Sequence, residues 1–418
     1  MNKEVTTGAW EDLRQKQGSW AAALLMSMAL VLPFAPGVAW PLGALALVLL
    51  LVRLIQGRGG LRWRWPCVGE PAFWATVFYL LHVIGMAWSS NAGFGLFDLD
   101  IKSPLLVFAL LVCVAPPNQR GREGLLFAFV MGCVGAVLIH TGAAAFRVIN
   151  DRTLSVAQEF YSSAFTRPMH PSYFALYLCV AIAAWYLTNI HSVVKAWQDL
   201  LMFAVLCLGV LLSGSKAGWI VVVLLLPTLL VLKWRTTRIR NVLLSSIAFT
   251  SVGMGSLVAF SPNARERVQE AWHAAFEEEH KADASASSEV RWVTWSAALH
   301  VFRAHPLFGT GTGDIKDELV KVYAERGNTY AFERKFNAHD QFLQSAACLG
   351  VPGLVALLGL VLVPVLRARR SGALAVIVAL IWLVNLAVES MLEVQAGTVF
   401  MGFTLLALFA VPRTEATT

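Results

Sequence analysis

Two histidines and a scattered set of cations are the side chains best suited to chemistry in this chain. His339 lies in FNAHDQFLQSAACLGVPGL (336–354), where a polar cluster, His339, Asp340 and Gln341, gives way within a few residues to an apolar run. Imidazole titrates near neutrality, so at such a lip it can serve as a general base. The competing reading is a helix start capped by Asn337 or Asp340. His170, in RPMHPSYFALY, has a similar setting immediately before another apolar run. Near these mouths stand Arg147, Arg152 and Arg167, then Ser215 and Lys216 in LSGSKAGW, then Arg265, Arg267 and Arg291. Guanidinium forks grip phosphate oxygens bidentately and a lysine acts as a point charge, so the set points to an anionic ligand. For any single cation the alternative is pairing with loop acids such as Glu277, Glu278 and Glu279. Arg291 lies one turn before Trp295 on a helix whose other side is apolar, which turns it inward.

Other chemistries find no support. SGSKAG is too short and irregular for the phosphate loop GxxxxGK[ST], and no strand precedes FGTGTGD, so neither a nucleotide-driven pump nor a dinucleotide site is expected. There is no HExxH, and Asp98 and Asp100 in FDLD have no evident partner, so no cofactor is expected and a divalent metal, though left open by these acids, is not needed. The cysteines form no CxxC pair and mostly lie in apolar runs, as packing residues do.

These residues must be positioned by a membrane scaffold. The chain is 418 residues long, 57% hydrophobic and 14% charged, against about 25% charged in soluble proteins. Apolar stretches near the ~20 residues of a bilayer span recur at 19–35, 37–55, 71–88, 101–116, 123–146, 171–189, 196–213, 216–233, 241–260, 340–367, 372–390 and 396–412. The expected fold is an all-α polytopic membrane protein of about twelve helices. The stretch 101–116 is short and begins beside Lys102, and Ser19 onward reads as a retained first span.

The net charge of +7 is segregated. Alternate links hold Arg53, Arg58, Arg62 and Arg64; Arg120 and Arg122; Lys195; Lys233, Arg235, Arg238 and Arg240; and Arg367, Arg369 and Arg370. The ends add Lys3, Arg14, Lys16 and Arg413 on the same side. That side is cytoplasmic by the positive-inside rule, and such a pattern marks topology rather than nucleic-acid binding. The expected organisation is a cytoplasmic segment at 1–18, nine spans over 19–260, an external subdomain at 261–338, three spans over 339–412 and a cytoplasmic tail at 413–418. Within the subdomain, helical periodicity runs over 264–279, 288–304 and 313–325, with KADASASS as a connection and Gly309, Gly311 and Gly313 as a turn.

HPSYFALYL (170–178), LLSGSKAGWI (211–220), RWVTWSAALHVFRAHPLFGTGTGD (291–314) and NAHDQFLQSAACLGVPGL (337–354), in this order, resemble the O-antigen ligase/polymerase superfamily of membrane glycosyltransferases, most of all its lipopolysaccharide O-antigen ligases. The resemblance implies a GT-C-like architecture, with His339 and Arg291 at the family's loop histidine and arginine. Ser215-Lys216 stands where the family often has Ser-Arg, and Asp340 where it often has Asn. It implies transfer of an O-polysaccharide from undecaprenyl diphosphate to a sugar hydroxyl of lipid A-core, with inversion, at the periplasmic face of a bacterial inner membrane. In that reaction His339 would accept or orient the hydroxyl proton. Arg291, Lys216, Arg265, Arg167 and Arg147 would hold the diphosphate, with His170, Asp340, Asn337 and Ser215 in support. Two other readings stay open: a polymerase or protein O-oligosaccharide ligase on the same scaffold, and a lipid or polysaccharide transporter. A transporter would carry ionisable groups within its spans, where His82, His140 and Glu389 are the main candidates, and would show repeats, none of which is evident.

Overall fold

Local signals in the sequence fix where the helices begin. A computed structural model describes residues 19–57, 61–188, 190, 195–276 and 287–410, so Lys3, Arg14, Lys16, Arg58, Glu277, Glu278, Glu279, Arg413 and most of KADASASS lie outside the described residues. The described chain is helical without strands. In order it forms α1 (Ser19–Val31), α2 (Pro36–Ile55), α3 (Pro71–Gly85), α4 (Ala92–Val114), α5 (Gln119–Asn150), α6 (Val156–Glu159), α7 (Ser162–Thr166), α8 (Pro171–Leu187) and α9 (Ala196–Ser213). Then follow α10 (Lys216–Lys233), α11 (Thr237–Phe260), α12 (Pro262–Phe276), α13 (Ser287–Ala304), α14 (Ile315–Glu325), α15 (Thr329–Arg334), α16 (Gln341–Leu366), α17 (Ala368–Leu386) and α18 (Gln395–Thr404). Proline occupies the first turn of α2, α3 and α8, where its missing N–H costs nothing. Side chains of Asn91, Asn118, Ser215 and Asp340 cap α4, α5, α10 and α16.

Among the described residues, seven helices are long and apolar enough to cross a bilayer: α2, α3 with the turn after it, α5, α9, α10, α11 and α16. α1, α8, α17 and α18 are apolar but shorter. α4 differs from the stretch expected at 101–116. It starts nine residues earlier, at Ala92, because Asn91 caps it and because its charges are hidden. Lys102, fully buried, bonds Asp98 one turn away at 2.5 Å and Glu393 at 3.2 Å.

α8 lies at the centre, with every residue from Pro171 to Tyr186 buried, and it packs against α5, α9, α10 and α17. A helix that is apolar all round belongs in such a place. α16 is broken at Gly350, whose φ of 67° is left-handed. The break leaves carbonyls without helical partners, and the glycine turn supplies them: Thr310 N–H donates to Ala347 at 3.0 Å and Gly311 N–H to Cys348 at 2.9 Å. Gly309, with φ of 67°, lies so close to Cys348 that a Cβ there would meet its backbone at 2.3 Å. The glycines of FGTGTGD are therefore a packing device. They plug a broken helix with protein backbone, as an apolar medium requires.

The expected subdomain helices appear as α12, α13 and α14, with α15 in addition. A separate apolar cluster, including Ala297, Val301, Leu319, Tyr323 and Ala347, seals α13 and α14 onto the first half of α16. The start of α16 is thereby clamped between this subdomain and the helix bundle.

Candidate active site

The mouths of α8, α10 and α16 converge on one cavity of 340 Å³. His170, Ser215, Lys216, Arg267, Arg291, His339 and Glu389 line it, beside apolar Ile220, Val384 and Val388. Six members of the set of histidines, cations and Ser215 named from the sequence, separated by up to 169 positions, therefore share one wall system: His170, Ser215, Lys216, Arg267, Arg291 and His339.

His339 is held in a left-handed backbone conformation, φ 48°. A non-glycine residue persists there only when its surroundings over-determine it. Asn337 Oδ1 accepts the His339 N–H at 3.1 Å, and Trp295 Nε1 donates to the His339 carbonyl at 3.2 Å. One residue earlier, Ala338 donates to Gln344 Oε1 at 3.0 Å while its carbonyl accepts from Thr294 Oγ1 at 3.1 Å. Asn337 thus fixes the turn, and Asp340 caps α16 by accepting from Leu343 N–H at 2.8 Å. Burial pushes the Asp340 carboxyl up to about 6, against the backbone N–H groups of Leu343 and Phe342 that favour its ionised form.

The carboxylate that serves the imidazole is Glu389, fifty positions further along. His339 Nδ1 lies 3.0 Å from Glu389 Oε1. An ionised carboxylate only accepts, so Nδ1 carries the proton and Nε2 is left as the basic nitrogen. Burial alone would raise the Glu389 carboxyl; the hydrogen bond from His339 and the neighbouring His339, His170 and Arg291 side chains outweigh it and hold the group below its ordinary range. The turn carrying Glu389 is fixed from three directions. Arg291 Nε donates to the Val388 carbonyl at 2.8 Å. Gln341 accepts from Leu392 N–H at 2.6 Å and donates to Glu393 at 3.0 Å. Lys102 then ties Glu393 to α4.

Three cations, Lys216, Arg267 and Arg291, line the cavity with this one lining carboxylate. Lys216 opens α10 behind its cap Ser215, whose Oγ accepts from Gly218 N–H at 3.1 Å. Arg267 reaches in from α12 and bonds Ser162 Oγ at 2.9 Å. His170 Nδ1 accepts from Ser172 N–H at 3.3 Å, so the neutral ring presents an Nε2–H donor. The cavity can therefore neutralise a multiply charged anion beside an oriented base.

Three expected anion ligands are not brought to the cavity. Arg147 Nε pairs with the buried Glu159 at 2.5 Å and also donates to the Ala164 carbonyl. Arg265 is spent on the carbonyls of Val258 and Ala259 at the end of α11. Arg167 lies outside the lining. Two lining residues were undervalued in the sequence. Arg267 was one cation among many, and Glu389, in LAVESMLEVQ, was read as an ionisable group within a span, of the kind a transporter would use. An acid that ends an apolar run was the available signal for it.

Part of the chain matches a known family. The family model described as O-antigen ligase matches residues 201–358. That segment runs from α9 into α16 and contains Ser215, Lys216, Arg267, Arg291 and His339, while His170 and Glu389 lie outside it. An uncharacterised protein of Haemophilus influenzae is 23% identical over 285 residues, 65% of this chain. The chain spans 66% of that relative's length, just short of two thirds.

Proposed function

We propose that this chain, which belongs through residues 201–358 to the O-antigen ligase/polymerase superfamily, joins an O-polysaccharide carried on undecaprenyl diphosphate to a sugar hydroxyl of lipid A-core. The observation that carries the reading is the His339–Glu389 pair sharing one cavity with Lys216, Arg267 and Arg291. His339 Nε2 takes the proton from the acceptor hydroxyl, and Glu389 stabilises the imidazolium that forms. The hydroxyl oxygen attacks the anomeric carbon from the face opposite the diphosphate, the carbon–oxygen bond to the diphosphate breaks, and the centre inverts. Charge growing on the departing diphosphate meets the three cations, with the His170 Nε2–H as a further donor. The diphosphate itself is the activated leaving group, so no nucleotide enters the step.

The polyprenyl tail needs an apolar path. Ile220, on the cavity wall, is 55% exposed on an apolar helix, and Val384 and Val388 line the wall beside it. The flank between α10 and α17 thus offers lipid on one side and the cations on the other. In this reading the cavity faces the periplasm and the Arg-rich links face the cytoplasm of a bacterial inner membrane, with both termini cytoplasmic.

The test uses purified full-length protein in detergent with undecaprenyl-diphosphate glycan as donor, offered lipid A-core, a pilin-like protein or no second acceptor. Product on lipid A-core is expected. Glycan extension without a second acceptor would mean a polymerase, product only on the pilin-like protein a protein ligase, and no product in any arm would contradict glycosyl transfer.

A further inference from the structure

A second cavity, of 370 Å³, lies at the other end of the bundle. α16 connects the two: it starts beside His339 and, interrupted at Gly350, ends at Leu366. Arg122, Arg367 and Arg369 line this second cavity. Its lining carboxylate, Glu70, is engaged by Arg64. The rest of the lining includes apolar Val363, Pro364, Leu408 and Phe409.

A topological excess of positive charge needs only that arginines lie in the right links; it does not require them to converge. Here they do, from stretches near 122 and 367. Arg122 is aimed by the helical turn that follows α18, its guanidinium donating to the carbonyl of Leu408 at 3.1 Å and of Ala407 at 3.4 Å. The Arg367 guanidinium lies flat over Gly69, so closely that a Cβ at Gly69 would fall 1.9 Å from its central carbon. A side chain at position 69 would displace that arginine from the cavity.

We propose that this second cavity binds the phosphate headgroup of an anionic phospholipid, on the membrane face opposite the His339 cavity. Guanidinium groups at helix ends recognise phosphate, and basic pockets between helices at a membrane face suit lipid headgroups. The apolar lining favours a lipid over free phosphate, because the acyl chains leave the headgroup along α16 and α18. The proposal is independent of the reaction assigned to the other cavity.

The test is native mass spectrometry of the full-length protein in neutral detergent with phosphatidylglycerol, phosphatidylcholine or inorganic phosphate added. Phosphatidylglycerol is expected to be retained, phosphatidylcholine not, and phosphate is expected not to displace it. The double variant Arg367→Gln/Arg369→Gln removes two exposed side chains and should weaken retention about thirtyfold, at roughly a factor of five per arginine. Gly69→Ala should weaken it too, while Lys233→Gln/Arg235→Gln, at the far end of α10, should not. Equal retention of phosphatidylcholine, displacement by phosphate, or equal loss in the Lys233/Arg235 variant would each overturn the proposal.

Discussion

Exchanging Glu389 for glutamine should slow glycan transfer while leaving the fold intact. The amide keeps the volume of the buried side chain, and its oxygen can still accept the His339 Nδ1–H that now lies 3.0 Å away. What disappears is the negative charge that stabilises imidazolium as Nε2 takes a proton. A hydrogen bond to a charged group contributes about 1.5–3 kcal/mol and a neutral one about 0.5–1.5. The exchange therefore removes about 1–2 kcal/mol from the transition state, a loss of about 5–30-fold in kcat. Donor KM should change little, because the cations that face the diphosphate are untouched. The carboxyl is held below its ordinary range, so it stays ionised in neutral buffers and the wild-type rate should not follow its titration there. The assay is transfer to lipid A-core by purified Glu389→Gln, with melting temperature measured in parallel. A wild-type kcat in this variant would refute the role given to the carboxylate, and a rate loss matched by a collapsed melting temperature would mark Glu389 as structural.

Arg291→Lys should lower kcat/KM for the donor by at least tenfold, since a lysine has neither the planar fork nor an Nε–H to hold the Val388 carbonyl; steady-state transfer kinetics check this. Arg147→Gln should lower the melting temperature by stranding the buried Glu159 carboxylate, at a cost of about 2 kcal/mol, yet leave kcat of the folded enzyme unchanged. Asp340→Asn keeps a capping oxygen and removes a carboxyl whose folded-state pKa is raised to about 6. The folded wild type then binds more protons than the unfolded chain between about pH 4 and pH 6, so its stability falls as pH rises through that window. The melting temperature of Asp340→Asn should accordingly gain on the wild type from pH 4 to pH 6 and run parallel above.

Much of the bundle was legible because apolar runs of spanning length leave few alternatives, and polar residues at their mouths stand out. His170, Ser215, Lys216, Arg291 and His339 were all visible in this way. Pairing across long separations was not. Nothing local to Arg147 or Arg265 tells that one meets Glu159 and the other closes the end of α11. The same limit hid Glu389: Asp340, adjacent in sequence, was the obvious carboxylate for His339, but the left-handed turn at His339 sends Asp340 to cap α16. Helix α4 was read short because Asp98 and Lys102 look like a link until their mutual burial is known. The use of the glycines of FGTGTGD became clear only with the break at Gly350 in view.

The central claim is that His339 Nε2 removes the acceptor proton, and chemical rescue tests it directly. Purified His339→Ala, with the wild-type melting temperature, should transfer glycan about 10²–10⁴-fold more slowly, and added imidazole should restore the rate in proportion to its concentration. Transfer by His339→Ala at the wild-type rate without imidazole would contradict it.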